Sequence, residues 1–181
     1  QKKLIAVHEH NEHKAAEQLL KHLLAGENIA LVTDAGTPGI SDPGAIVVDM
    51  AIKADIKVVP IPGASAAITA LSAAGIEAPG FTFVGFLPAT SSQRKKVLET
   101  LKAHTTTLVF YEAPHRVIES ITDMAAILGA VRRVTIAREL TKTFETFHRC
   151  YLGDAIIFLQ NDPNQQRGEF VILIEALPVK E

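Results

Sequence analysis

The sequence predicts an α/β fold of two units, a parallel-sheet first unit and a mixed-sheet second unit. Short apolar runs alternate with segments of helical spacing, the pattern of buried strands joined by helices. Turns rich in glycine and proline fall where those strands end. Beyond residue 79 the pattern changes, and late strands follow one another without a long helix between them, which points to antiparallel pairing.

Taken in order, Leu4–Val7 is a short apolar run, and helical spacing follows from Ala15 through Leu19, Leu20, Leu23 and Leu24 to a stop at Gly26. Ile29–Thr33 and Ile56–Val59 read as buried strands, with a helix near Ala45–Lys53 between them. Ala64–Ala74 is an alanine-rich helix ended by Gly75, and Glu77-Ala-Pro-Gly80 reads as a linker. The chain is accordingly divided into residues 1–79 and 80–181. In the second part Phe81–Gly85 and Thr106–Tyr111 are strands around a helix at Ser92–Ala103, whose Arg94, Lys95 and Lys96 read as a solvated face. Pro114 suits the first turn of a helix with an apolar stripe of Val117, Ile118, Ile121, Met124, Ala125 and Leu128, closed by Gly129. Val134–Ala137, Thr143–Tyr151 and Glu169–Ala176 supply the last strands.

The 181 residues are 48% apolar and 21% charged, enough to build a packed core and unlike a disordered chain. A net charge of −2 argues against a generic electrostatic nucleic-acid binder, while leaving a local basic groove open. The single cysteine, Cys150, excludes an intrachain disulfide and fits a reducing compartment. No apolar run approaches the ~20 residues that span a bilayer, and no charged-then-apolar leader opens the sequence, so a cytoplasmic protein without a membrane segment is expected.

The loops carry the chemistry. Thr33-Asp-Ala-Gly-Thr-Pro-Gly-Ile-Ser-Asp-Pro-Gly44 leaves one strand and enters a helix, the place where open α/β sheets bind ligands. Its glycines admit close backbone approach, and Asp34, Thr37, Ser41 and Asp42 offer groups for ribose or amino partners. It is not a phosphate-binding P-loop, since Ala45-Ile46 follows Gly44 where lysine and a hydroxyl residue are required. Pro60-Ile-Pro-Gly-Ala-Ser-Ala66 also joins strand to helix and leaves room at a helix start, or simply packs tightly there. In Phe110-Tyr-Glu-Ala-Pro-His-Arg116, residues Glu112, His115 and Arg116 can bind substrate, move protons, or merely open a helix. Ala137-Arg-Glu-Leu-Thr-Lys142 leaves another strand, and its Arg138-Glu139 pair reads by itself as a surface ion pair. His8-Glu-His-Asn-Glu-His13 is not the zinc motif H-E-x-x-H, and no metal site is expected.

In this order and spacing the loops resemble the tetrapyrrole-methylase family, in its branch of small-subunit ribosomal RNA 2′-O-ribose methyltransferases. His8-Glu-His-Asn-Glu12 and Gly168-Glu-Phe170 agree as well, so the resemblance runs along essentially the whole chain. It implies a two-domain fold that holds S-adenosyl-L-methionine in a cleft. Gly36-Thr-Pro38 resembles the family's Gly-Asp-Pro cofactor loop, with threonine in place of aspartate. On that mapping the cofactor is bordered by Asp34, Ala35, Gly36, Thr37, Ile40 and Ser41, then by Ser65 and Ala66, Tyr111 and Glu112, and Leu140 and Thr141. The implied substrate is a cytidine ribose of 16S ribosomal RNA within the small ribosomal subunit, and the implied assembly a homodimer. Glu112, His115, Arg116, Arg138 and Lys142 form the pool for substrate contacts and the general base. The family usually opens with a strand and a Pro-Ile-Gly-Asn-Leu type loop that precede the point where this sequence starts, so that N-terminal strand is expected to be missing here, as is a common C-terminal extension. Two other readings stand beside this one: a methyltransferase of a tetrapyrrole or corrin precursor on the same fold, and a non-catalytic nucleotide-binding domain.

Overall fold

The computed structural model describes residues 3–177. They form two compact units that divide between Ser65 and Ala66, earlier in the chain than the change of pattern near residue 79 suggested. The reason is the helix at Ala66–Ala74, whose small face belongs to the second unit's sheet.

In the first unit, α1 (Glu12–Leu24) and α2 (Ala45–Lys53) pack together. Ala16, Leu19 and Val47 are the buried contacts, flanked by Ile5, Val7, Ile46 and Met50. The runs Ile29–Thr33 and Ile56–Val59 do not form strands: they join no ladder among the described residues. Their β-branched composition favours extended backbone, but a strand needs a partner to take its N–H and C=O groups. Here Val32 and Val59 stand 79% and 59% exposed, so neither run is buried as the parallel-sheet expectation required.

The second unit contains α3 (Ala66–Ala74), β1 (Phe81–Phe86), α4 (Ser91–Leu101), β2 (Thr107–Glu112), α5 (Val117–Leu128), β3 (Arg133–Arg138), β4 (Thr146–Tyr151), α6 (Leu152–Asn161) and β5 (Phe170–Ile174). The sheet order is β1-β2-β5-β3-β4; β1 and β2 are parallel, and every other pairing is antiparallel. The sheet is mixed, as expected, but the expected reason fails, because α6 lies between β4 and β5. Its apolar positions 152, 155, 156 and 159 have helical spacing and bury Leu152, Ala155 and Leu159.

Side-chain alternation separates the two faces. Leu108, Phe110, Val134, Ile136, Ile172 and Ile174 point into one core with Leu98, Ile121, Met124 and Leu159 from α4, α5 and α6. Val109, Ala137, Val171 and Leu173 face the other way, onto Ala67, Ala70 and Ala74 of α3. Because both faces are covered, β5 is apolar at every position, Phe170–Ile174 being buried throughout.

Arg94 departs most from its sequence reading. It is fully buried, not solvated: Nε donates to Asp123 Oδ2 at 2.7 Å and Nη1 to Ala89 O at 3.1 Å. Ser91 Oγ and Lys95 Nζ hold the other Asp123 oxygen at 3.1 and 3.3 Å, tying α4 to α5. Burial pushes the Asp123 carboxyl up, but the bonds from Arg94, Ser91 and Lys95 together hold it below the ordinary carboxylate value.

Candidate active site

Within the first unit, two loops are fastened to each other. Thr37 Oγ1 donates to Ala64 O at 3.0 Å, across the turn made by Gly36 and Gly39, whose φ values are 75° and 79°. That left-handed backbone is open to glycine and strained for most other residues. Asp34, Ala35, Gly36, Ile40 and Ser41 are exposed along the turn, and Thr33 Oγ1 donates to Asp42 Oδ2 at 3.1 Å to close its base. The turn ends at α2, whose first N–H groups are already taken: Glu12 Oε1 accepts from Gly44 N–H at 2.8 Å and Ile46 N–H at 3.1 Å. Glu12 is therefore a tie between α1 and α2, not part of a metal motif. Among the described residues no group of three or more His, Cys, Asp or Glu side chains is placed to hold a metal ion.

Within the second unit, the remaining candidates gather at one end of the sheet. The Tyr111 hydroxyl accepts from Ala67 N–H at 3.2 Å, capping α3 just past Ala66. Phe83 and Phe86 meet the Tyr111 ring edge-on at 5.0 and 5.7 Å, which fixes its direction. Tyr111 and Leu140 both pack on the cluster that contains Ala67 and Ala70. Ala66, Tyr111 and Leu140 are thus drawn together by α3, β2 and the segment leaving β3.

The pool of proton-moving residues separates by its contacts. Glu112 is buried, and both its carboxylate oxygens are engaged within the fold: Oε1 takes Ala113 N–H at 2.8 Å and Arg116 Nε at 2.5 Å, and Oε2 takes Ser120 Oγ at 2.5 Å. This is the capped helix start that the sequence left open beside a catalytic role. Arg138 does not pair with Glu139. Its guanidinium donates to Thr146 Oγ1 at 3.2 Å, Arg167 O at 3.1 Å and Phe144 O at 3.0 Å, latching two turns to the end of β3. Lys142 Nζ bridges Glu139 Oε1 at 3.0 Å and Glu169 Oε2 at 2.9 Å, and those two carboxylates raise its pKa. His115 is exposed, and its side chain makes no hydrogen bond or ion pair among the described residues.

Both units therefore carry short, small-residue loops with polar atoms pinned by neighbouring backbone, and in the second unit these loops leave strand ends. They define an α/β protein of the methylase type. The chain belongs to the family of tetrapyrrole (corrin/porphyrin) methylases, whose sequence profile matches residues 2–156. It is 48% identical over 179 residues to the ribosomal RNA small subunit methyltransferase I of Escherichia coli O157:H7, a match spanning 99% of this chain and 63% of that protein. It is 51% identical over 175 residues to the protein of the same name from Vibrio cholerae serotype O1, spanning 96% of this chain and 60% of that one. The chain thus covers less than two thirds of the length of these relatives. Among solved structures, the methyltransferase CobJ superimposes with a TM-score of 0.67 at 18% identity, covering 94% of this chain and 73% of that one. Uroporphyrin-III C-methyl transferase from Thermus thermophilus, complexed with S-adenyl homocysteine, gives a TM-score of 0.57 at 15% identity over 89% of this chain and 72% of that one. At those identities the likeness concerns the fold alone.

Proposed function

We propose that this chain is the cofactor-binding part of an S-adenosyl-L-methionine-dependent methyltransferase that methylates a cytidine ribose 2′-hydroxyl of 16S ribosomal RNA in the small ribosomal subunit. The relatives' names support the substrate class. The observation that carries the cofactor reading is the pinning of each candidate loop by its neighbour's backbone, Thr37 on Ala64 and Tyr111 on Ala67. These turns leave their own backbone accessible and surround it with Gly, Ala and Ser, which suits a ligand held by main-chain groups. The cytoplasm, where small subunits are assembled, is the proposed place of action. Among the described residues no helix is long and apolar enough to cross a membrane. A homodimer is the proposed assembly.

When bound, the cofactor supplies a methyl group made electrophilic by its sulfonium. Transfer to a hydroxyl oxygen is an in-line displacement, so alignment of the reacting atoms is the main task and can supply up to about 7–11 kcal/mol of the barrier. Residues 34–37, Ile40, Ser41 and Ser65 of the first unit, and Ala66, Tyr111, Leu140 and Thr141 of the second, are the residues proposed to hold the cofactor. Glu112 ties the turn that follows Tyr111 to the start of α5, and Arg138 fixes the end of β3 from which Leu140 departs. His115, free of internal partners, is the proposed acceptor of the hydroxyl proton.

Calorimetry with S-adenosylhomocysteine tests the cofactor reading: in the full-length protein, Thr37→Trp or Ser65→Trp abolishes binding. Undiminished affinity removes those loops from the site. Methyl transfer from tritiated cofactor to small ribosomal subunits, with no transfer to a precorrin, is the expected substrate result, and the reverse pattern overturns it.

A further inference from the structure

We propose that Glu139 is a positioning residue that sets the backbone of Leu140 and Thr141 for the cofactor through a clamp onto Gly168 and Glu169. The inference rests on the reading that residues 140 and 141 touch the cofactor. Glu139 and Thr141 have φ values of 52° and 65°, and neither is glycine. Such backbone persists only where the surroundings over-determine it.

Here the surroundings do so from several sides. Glu139 N–H donates to Glu169 O and Glu169 N–H donates back to Glu139 Oε1, both at 2.9 Å. Lys142 Nζ, at 3.0 Å from Glu139 Oε1 and 2.9 Å from Glu169 Oε2, closes the ring, while Lys142 N–H reaches Glu139 O at 3.0 Å. Thr141 N–H donates to Glu145 Oε2 at 2.6 Å. The Glu139 carboxyl lies directly over Gly168, whose φ is 90°, and a Cβ there would overlap it. Gly168 is therefore glycine for two reasons, its own backbone and the space that Glu139 occupies. The bonds from Glu169 N–H and Lys142 hold the Glu139 carboxyl below the usual carboxylate range, so it remains a charged acceptor at neutral pH. These bonds run among the groups themselves and fix the direction of the two residues between them.

The test uses the full-length protein. Glu139→Ala is expected to weaken S-adenosylhomocysteine binding by about tenfold or more, the equivalent of losing one charge-assisted bond. Hydrogen exchange at the Thr141 and Glu169 amides accelerates while exchange in β3 and β5 stays as in the parent. Glu139→Gln keeps an oxygen for Glu169 N–H and recovers part of the affinity. Gly168→Ala, which leaves Glu139 in place but displaces its carboxyl, weakens binding in the same direction. If Glu139→Ala speeds exchange yet binds S-adenosylhomocysteine as tightly as the parent, the clamp is structural only and the inference falls. If S-adenosylhomocysteine binds the parent without slowing exchange at Leu140 and Thr141, the site assignment beneath it falls first.

Discussion

Replacing Asp123 by alanine is the sharpest perturbation of the second unit. Arg94 is 0% exposed, and its Nε has one partner, Asp123 Oδ2 at 2.7 Å. The substitution removes that bond, the Ser91 and Lys95 contacts at 3.1 and 3.3 Å, and the counter-charge of a buried guanidinium. Glu119 cannot replace it well: its Oε2 lies 3.7 Å from Arg94 Nη2 on a side chain that is 72% exposed. Breaking one half of a buried pair costs about 3–5 kcal/mol, mostly through the stranded charge. At roughly 2–4 °C per kcal/mol for a chain of this size, the melting temperature falls by on the order of 10 °C. The assay is thermal and urea unfolding followed by circular dichroism. The joint variant Arg94→Met with Asp123→Leu supplies the control, since removing both charges recovers much of the loss. A loss below about 1 kcal/mol for Asp123→Ala would place the pair in the class of exposed ion pairs. A joint variant as unstable as Asp123→Ala would locate the cost in packing instead of charge. Either result refutes the reasoning.

Further outcomes follow from other contacts. Glu12→Ala leaves Gly44 N–H and Ile46 N–H of α2 without their acceptor and is expected to cost about 1–2 kcal/mol, read by urea unfolding; a neutral result would show that solvent caps α2 equally well. His148 stacks on Phe158 with ring centroids 3.5 Å apart, and burial lowers its pKa. A histidine depressed in the folded state contributes fully above its unfolded pKa of about 6.5, and that stability drains away as pH falls toward the folded value. His148→Phe is therefore expected to flatten the stability profile between pH 7.5 and pH 5, and an unchanged slope counts against the assignment. The Cys150 thiol is pushed up to about 11 by burial and then by Asp154, so iodoacetamide at pH 8 labels native protein far more slowly than unfolded protein; equal rates would contradict that environment.

Much of this was legible in the sequence, and each failure has a physical cause. The strands β2, β3 and β5 were readable because both faces of each are buried, so apolar character runs without interruption along Leu108–Phe110 and Phe170–Ile174. Helix α5 was readable from its stripe and from Gly129, whose φ of 106° ends it. Ile29–Thr33 and Ile56–Val59 have the same composition, yet a strand is a property of pairs, and one segment's residues cannot report whether a partner lies alongside. Helix α6 was missed because its apolar residues run unbroken through 155–159, a pattern that fits a helix or a strand equally.

The candidate site divides along the same line. Glycine turns announce themselves locally, since Gly36 and Gly39 adopt backbone that few other residues can. Charged side chains do not announce their partners. Arg94 and Lys95 are adjacent in sequence and similar in kind, yet one is fully buried and the other keeps 46% of its side chain in solvent, a difference made by Asp123 on another helix. Glu139 looked like the partner of Arg138, its neighbour in the chain, but it lies just past the end of β3. The φ of 52° at Glu139 then turns its carboxyl toward Glu169, some thirty residues on. A charge in such a loop is therefore better assigned by asking which backbone N–H groups (for a carboxylate) or C=O groups (for a guanidinium) lie within its reach than by asking which opposite charge stands beside it. By that rule Glu112, Arg138 and Glu139 each direct bonds to neighbouring backbone.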